Sequence, residues 1–387
     1  MRYLQGKAGG DAFEVFGKMQ ALQSAGGPST LQQALGMFWL ALGPAQVRPE
    51  EYYTYALWRK DRRQAFLNGF LPNWRTRLFN SSLAMPTRRA AGAHSRDKLA
   101  NEAVLAARGL PLTRSRAVFA PAGQPVADQI AALPGLTVLR STEDLVAFLS
   151  DPAIYPLFGK PRADSFARGA AVFERLATPG VVQFLDGQTA ALTDLAAEIA
   201  TDWGTGYIFQ PFYRSAAALA RHTGPAMASV RIVTLLTDRG VEPWYGVIRL
   251  PARSAMHDGD APDQRIWGLI DIATGTIVKL RELRDPMTPD LTHGHDPDLA
   301  FLGTRLPHWD QAVELCRLGH ESFPADGIIG WDVFLTEDGA LLNEANVNPG
   351  HVYQVAAQRP LLNPDMRPAY ARARAFARKH GGGKRRF

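Results

Sequence analysis

Apolar residues recur at helical spacing through the first 94 positions. Beyond Ala90 they give way to short alternating runs separated by Pro/Gly turns and further helices. The strongest helical stretches are 31–42 (LQQALGMFWLAL) and 49–58 (PEEYYTYALW), the second opened by Pro49 with acids in its first turn. Another helix starts near Ser95 or Asp97, carries Leu99, Ala103, Ala106 and Leu110 on one face, and stops at Gly109. Strand-like runs follow at 117–120, 137–139, 155–160 and 181–185, and then more densely at 207–210, 230–236, 244–250, 266–272 and 276–280. A helix over 307–320 and a hairpin over 328–345 complete the pattern. Helices and strands distributed this way predict an α+β protein, with two α+β lobes behind a helical N-terminal domain. The expected divisions are 1–94 for the helical domain, 95–204 for the first lobe, 205–360 for the second, and 361–387 for a C-terminal helix and basic tail.

Composition narrows the setting. A 46% hydrophobic content with 21% charged residues suits globular units that bury large cores. The single cysteine, Cys316, excludes an intrachain disulfide and a cysteine-built metal site. No run approaches the ~20 apolar residues that a membrane span needs, and residues 1–11 lack a signal-peptide pattern, so a cytoplasmic protein is expected. The net charge of +6 is concentrated at one end: positions 367–387 hold eight Lys or Arg and no acid. The body is therefore near neutral, which argues against nucleic acid as a partner and reads the tail as a solvated helix with a frayed end. The aromatic-rich N-terminal helices suit either a domain contact or a homodimer surface.

Candidate chemistry is concentrated in residues 330–346, GWDVFLTEDGALLNEAN. Two apolar runs flank Glu337-Asp338-Gly339, which suits a three-residue hairpin loop with Gly339 in a left-handed conformation. In that register Thr336 opposes Ala340, Asp332 lies across from Glu344, and Asn346 shares their face. Two facing carboxylates repel one another unless a hard cation lies between them, and oxygen ligands of this kind suit Mg²⁺ on substrate phosphates.

The run WDVFLTEDGALLNEANVNPG resembles the metal-binding hairpin of ATP-grasp enzymes such as D-alanine–D-alanine ligase. The resemblance implies ATP and Mg²⁺ as cofactors, with the metal on Asp332, Glu344 and Asn346. Further segments are similar to other parts of the superfamily. Asp97-Lys98 with Arg108-Gly109-Leu110-Pro111, and Phe158-Gly159-Lys160-Pro161, imply that Lys98 and Lys160 meet the nucleotide. The segment 208–212 (IFQPF) resembles the hinge facing adenine, bringing in Gln210 and Phe212, and 230–234 (VRIVT) resembles the strand whose arginine, Arg231, supports the phosphates. The lid after Lys160 is glycine-poor, leaving Ser165 to cradle phosphate. His351, beside the expected acceptor pocket, is a candidate to bind the acceptor or take its proton. The polar stretch 249–268, with Arg253, His257, Asp258, Asp263 and Arg265, reads as a substrate lid or a surface excursion.

The helical N-terminus, SVRIVTLL and WGLIDIATG are together closest to the sugar-transfer-associated ATP-grasp family, whose members are associated with glycan or natural-product assembly. The implied activity is an ADP-forming carboxylate–amine ligase working through an acyl phosphate on small-molecule substrates. The alternatives are phosphoryl transfer to a hydroxyl and a non-catalytic nucleotide-binding regulator.

Overall fold

The computed structural model describes residues 3–4, 15–85, 97–163, 169–252, 265–282 and 290–382. The N-terminal helices are α1 (Val15–Ser24), α2 (Thr30–Leu42), α3 (Pro49–Thr54), α4 (Lys60–Leu67) and α5 (Thr76–Ser81). Helix α2 begins at a capping box in which Ser29 and Gln32 satisfy each other's backbone N–H groups. Only Gln33 and Leu40 of α2 are buried, and Leu31, Phe38, Trp39 and Leu42 remain exposed. Its apolar periodicity therefore marks a surface face, whereas Tyr52, Tyr53, Tyr55 and Phe66 build the N-terminal core.

Helix α6 (Lys98–Ala107) is held at its start by Asp97, whose carboxylate accepts from the Leu99 N–H. It leads into strands β1 (Ala117–Phe119), β2 (Thr137–Leu139), β3 (Leu157–Pro161), β4 (Ala171–Thr178), β5 (Val181–Phe184), β6 (Thr189–Ala191) and β7 (Tyr207–Pro211). Helices α7 (Asp128–Ala131), α8 (Thr142–Leu149) and α9 (Leu192–Asp202) punctuate them. These strands form one sheet in the order β2-β1-β7-β3-β4-β5-β6, with only the β1–β2 pair parallel. Strand β7 fills the gap between β1 and β3, so the first sheet extends to Pro211. The expected boundary after residue 204 would have cut it off, because no local signal shows that β7 returns to strands laid down roughly 50 and 90 residues earlier. Strands β4 and β6 carry no alternation in the sequence, since β4 opens on three consecutive buried residues and β6 has only three residues.

The second sheet contains β8 (Ser229–Thr237), β9 (Gly240–Leu250), β10 (Ile266–Ile270), β11 (Ile277–Glu282), β12 (Ile328–Thr336) and β13 (Gly339–Asn346), in the order β11-β10-β9-β8-β12-β13. Its helices are α10 (Ala217–Thr223), α11 (Trp309–His320), α12 (Tyr353–Ala357) and α13 (Arg367–Lys379). Odd and even positions of β8 and β12 feed different cores. Ile232, Trp331 and Val333 pack with Leu315 of α11, while Val233, Leu235 and Ile328 pack under α12, α13 and Phe79 of α5. The C-terminal helix is thus part of the second unit: Tyr370 and Ala373 are buried against the sheet.

Two connections fix the sheets to one another. Helix α6 places Leu99 and Ala100 in a core with β1 and β7, and Leu105 in the core of the second sheet. Residues 111–113 then pair with β13, the Thr113 N–H donating to the Leu342 carbonyl at 2.9 Å and the Leu342 N–H to the Pro111 carbonyl at 3.1 Å. The chemistry-bearing face of the hairpin is thereby held against the first sheet. Among the described residues no helix is long and apolar enough to cross a membrane.

Candidate functional site

The β12–β13 hairpin differs from its expected form both at its turn and beside Asp332. Its turn is the two-residue Glu337-Asp338, with Thr336 opposite Gly339, whose φ of 136° is open to glycine. That register alone would turn Glu344 to the opposite face. A β-bulge between Asp332 and Val333 corrects it: Val333 pairs with Leu342 and Asp332 with Glu344, leaving Asn343 as the extra residue. The expected pairing of Asp332 with Glu344 is observed, though the turn that was to produce it is not.

The bulge aims Asn343 into a cleft between the sheets. Lys98, Glu102, Lys160, Gln210 and Glu344 also line it. Asn343 Oδ1 accepts from Thr113 Oγ1 at 3.2 Å and from Lys160 Nζ at 3.5 Å, and Gln210 Nε2 donates to the hydroxyls of Thr113 and Ser115, each at 3.4 Å. Burial pushes the Lys160 ammonium down to about 8; Glu344 opposes the shift and Lys98 reinforces it. Glu102 is pushed up by burial, against the two hydrogen bonds it accepts from Ser115. Glu102, Thr113, Ser115 and Asn343 were not singled out from the sequence. Of these, Glu102 was findable, lying one helical turn after Lys98 and so on its face.

Asp332 and Glu344 sit in opposite circumstances. Asp332 accepts from Arg231 Nε at 2.6 Å and Arg231 Nη2 at 2.9 Å, from Arg249 Nη2 at 3.0 Å and from Asn346 Nδ2 at 3.3 Å. Those four bonds use the acceptor capacity of a carboxylate. Burial works against the Arg231 guanidinium, but the charge and hydrogen bonds of Asp332 outweigh it and hold Arg231 above its ordinary value. Glu344 has no hydrogen bond or ion pair among the described residues and faces the cleft beside Lys160. For a hard divalent cation, Glu344 and the Asn346 amide oxygen fit directly. Asp332 fits only as its arginine contacts are released, since Arg231 and Arg249 now hold the positive charge it faces. Among the described residues no three His, Cys, Asp or Glu side chains are grouped, so such an ion would draw further oxygens from phosphate or water.

The remaining expected residues fall elsewhere. Phe212 packs against the core of the first sheet, under Arg214 at 5.3 Å, and does not line the cleft. Ser165 and residues 253–264 lie outside the described residues. His351 is not exposed to an acceptor pocket. Its Nε2–H donates to Asn80 Oδ1 at 2.8 Å and its Nδ1 accepts from the Tyr245 hydroxyl at 3.1 Å, because the Asn80 amide group is already donated to Asn348 and Pro349. Burial, aided by Arg231, pushes the imidazole down to about 3, so it is neutral near pH 7 and ties α5 to the sheet. A turn position carries no signal of such burial, which is why His351 read as a catalytic candidate.

His320 is held in the same way, between Thr234 and the Asp326 carbonyl, with burial pushing it down to about 4. Both folded values lie below the ordinary histidine value, so the unfolded chain takes up protons first as pH falls. Stability from these two groups is complete above about pH 6.5 and is lost between there and about pH 4 for His320 and about pH 3 for His351. Urea unfolding is expected to show a limiting slope of about 1.4 kcal/mol per pH unit for each histidine, and His320→Gln to remove one of the two protons from the linkage. An unchanged slope in that variant would place the acid sensitivity elsewhere.

Residues 200–366 match the sugar-transfer associated ATP-grasp family. That segment, less than half of the chain, is similar to the ATP-grasp family. The chain is similar in structure to the D-alanine-D-alanine ligase from Coxiella burnetii (11% identity, 75% of this chain and 60% of that one, TM-score 0.39). It is also similar to the VanG D-Ala:D-Ser ligase from Enterococcus faecalis (15% identity, 75% and 62%, TM-score 0.39). An ADP complex of an N5-carboxyaminoimidazole ribonucleotide synthetase matches at 10% identity over 67% of this chain and 46% of that one, with a TM-score of 0.36. The chain thus spans less than two thirds of the length of these structures. No curated protein matches its sequence. The ATP-grasp match begins just before β7 and covers the second sheet, Asp332, Glu344 and His351, while Lys98 and Lys160 lie outside it.

Proposed function

We propose that this protein is an ATP-grasp enzyme, an ATP- and Mg²⁺-dependent ligase that joins a carboxylate to an amine and releases ADP and phosphate. The observation that carries the reading is the unpartnered Glu344 carboxylate, opposite Asp332 and beside the buried Lys160, in a cleft between two sheets. Gln210, Glu102, Lys98 and Lys160 all line the cleft, where the first two would face the base and the lysines the phosphates. Glu344 and Asn346, joined by Asp332, would hold the metal, which when bound neutralises phosphate charge as the γ-phosphoryl group moves to the carboxylate. Lys160 donates fixed hydrogen bonds from a dry site, where they count for more than in water. Arg231 and Arg249, held by Asp332, would face the charge that develops on an acyl phosphate. The amine then displaces phosphate from the acyl group, a step favoured by positioning more than by a protein base, since His351 is neutral and occupied.

The test is ATP consumption with Mg²⁺ and pooled carboxylic acids, with and without pooled amines, separating ADP from AMP. ADP and phosphate that appear only when both pools are present are the expected result. ADP formation without an amine requirement would replace the ligase reading by phosphoryl transfer to a hydroxyl. Tight Mg²⁺-ATP binding with no turnover on any pool would replace it by a regulator.

A further inference from the structure

The face of the second sheet that carries Asp332 continues away from the cleft as a row of donors. Arg249 on β9 pairs in register with Trp267 on β10, and Trp267 with Arg281 on β11. Paired residues share a face, so the row runs from Asp332 through Arg249 and Trp267 to Arg281. Arg249 reaches the Asp332 carboxylate at 3.0 Å, and Arg281 stands two strand spacings beyond Arg249 and four from Asp332, ~20 Å from the latter.

Two neighbours in this row are buried without acceptors. Arg281 is 5% exposed, and its side chain makes no hydrogen bond or ion pair among the described residues; its Nε is inaccessible and unpartnered. Trp267 is 7% exposed, and its Nε1–H is likewise buried with no acceptor. Such groups are ordinarily satisfied, and a buried guanidinium without a counter-charge is costly. The surrounding charge makes it worse. Burial pushes Arg281 down and Arg62 of α4 adds to this, while the opposing Asp290 is itself engaged by Lys279 at 3.0 Å. Among the described residues, Arg281, Arg62 and Lys279 therefore face one carboxylate, Asp290. Arg62 is anchored by Gln358 at 3.1 Å, so the N-terminal helices close over this end of the row.

We propose that Arg281, Trp267 and Arg62 form a binding subsite for a phosphate-class oxyanion. Such a dianion would accept from both buried donors at once and restore charge balance between the two arginines. Its placement on the same face as Arg249 assigns the oxyanion to one end of the substrate whose other end reacts beside Asp332. That assignment to substrate rests on the ligase reading, whereas the anion site itself does not. The substrate class is then an acid or amine carrying a phosphate four strand spacings, ~20 Å, from the group that reacts, as in an extended phosphorylated sugar derivative.

The probe is inorganic phosphate, titrated at constant ionic strength against the thermal unfolding of the full chain. Lys160→Met is used as the background so that phosphate bound in the cleft does not contribute. Phosphate at millimolar concentration is expected to raise Tm by roughly 2–4 °C, and Arg281→Met to abolish that rise. Arg281→Met is further expected to raise Tm in phosphate-free buffer, because it removes an uncompensated buried charge while keeping the volume. Trp267→Phe, which keeps the ring and loses the N–H, should weaken binding roughly fivefold. A lower phosphate-free Tm for Arg281→Met would make the arginine structural and overturn the proposal, as would a phosphate response that survives that change or is missing from the Lys160→Met background. A sugar monophosphate that binds more tightly than inorganic phosphate, by a margin lost in Arg281→Met, assigns the site to substrate. Equal binding of the two assigns it to free phosphate and withdraws the substrate claim alone. Because the readout is binding, it stands or falls separately from ligase turnover.

Discussion

Replacing Glu344 by Gln is expected to lower ATP turnover by about 10³-fold or more while leaving the folded chain intact. The amide keeps the shape of the side chain and removes the negative charge that faces the cleft. Glu344 has no partner among the described residues, so the change breaks no hydrogen bond or ion pair. It also relieves the repulsion of a carboxylate set directly opposite Asp332. Tm in the absence of nucleotide should therefore stay level or rise slightly, and the stabilisation conferred by Mg²⁺-ATP should largely disappear. The measurement pairs steady-state ADP formation with thermal unfolding, with and without Mg²⁺-ATP. Turnover that survives the substitution would remove Glu344 from the metal site.

Asp332→Asn is expected to do the converse in the absence of nucleotide, destabilising the fold by about 3–5 kcal/mol. Asp332 is the shared acceptor of Arg231 and Arg249, and all three side chains are largely buried. An amide offers one oxygen where the carboxylate offers two, and it brings donors against guanidinium groups that also donate. Two like charges then face one another in a site from which water is largely excluded. The cost should fall when Arg231→Met accompanies it, because the second change removes one of the stranded charges. Urea unfolding of the two single variants and the double variant measures that coupling. Additive losses would mean that Asp332 and Arg231, despite their 2.6 Å contact, are held independently.

These two carboxylates share a register position and differ in everything the surroundings decide. Their pairing was legible in the sequence, because the alternation of 330–336 and 340–346 around a Gly-containing turn forces a hairpin, and Asp332, Glu344 and Asn346 fall on one face of it. The route to that pairing was not legible. A two-residue turn followed by a bulge at Asn343 has the same sequence signature as a longer turn without one, since apolar Leu341 and Leu342 suit either face. Only packing against residues 111–113 and α11 chooses between them.

By itself the sequence determined the class of the fold, the helical start, the hairpin with its acidic pair, and the lysines at the head of α6 and within β3. Those features rest on local periodicity and turn chemistry, which act over a few residues. The tertiary structure alone decided that β7 belongs to the first sheet, that Asp332 is saturated by Arg231 and Arg249, and that His351 is a neutral buried tie. It alone aligned Trp267 with Arg281 and left both without acceptors. Each of these depends on which distant strand or helix comes to lie beside a residue, and thus on desolvation and long-range pairing that no short window of sequence contains.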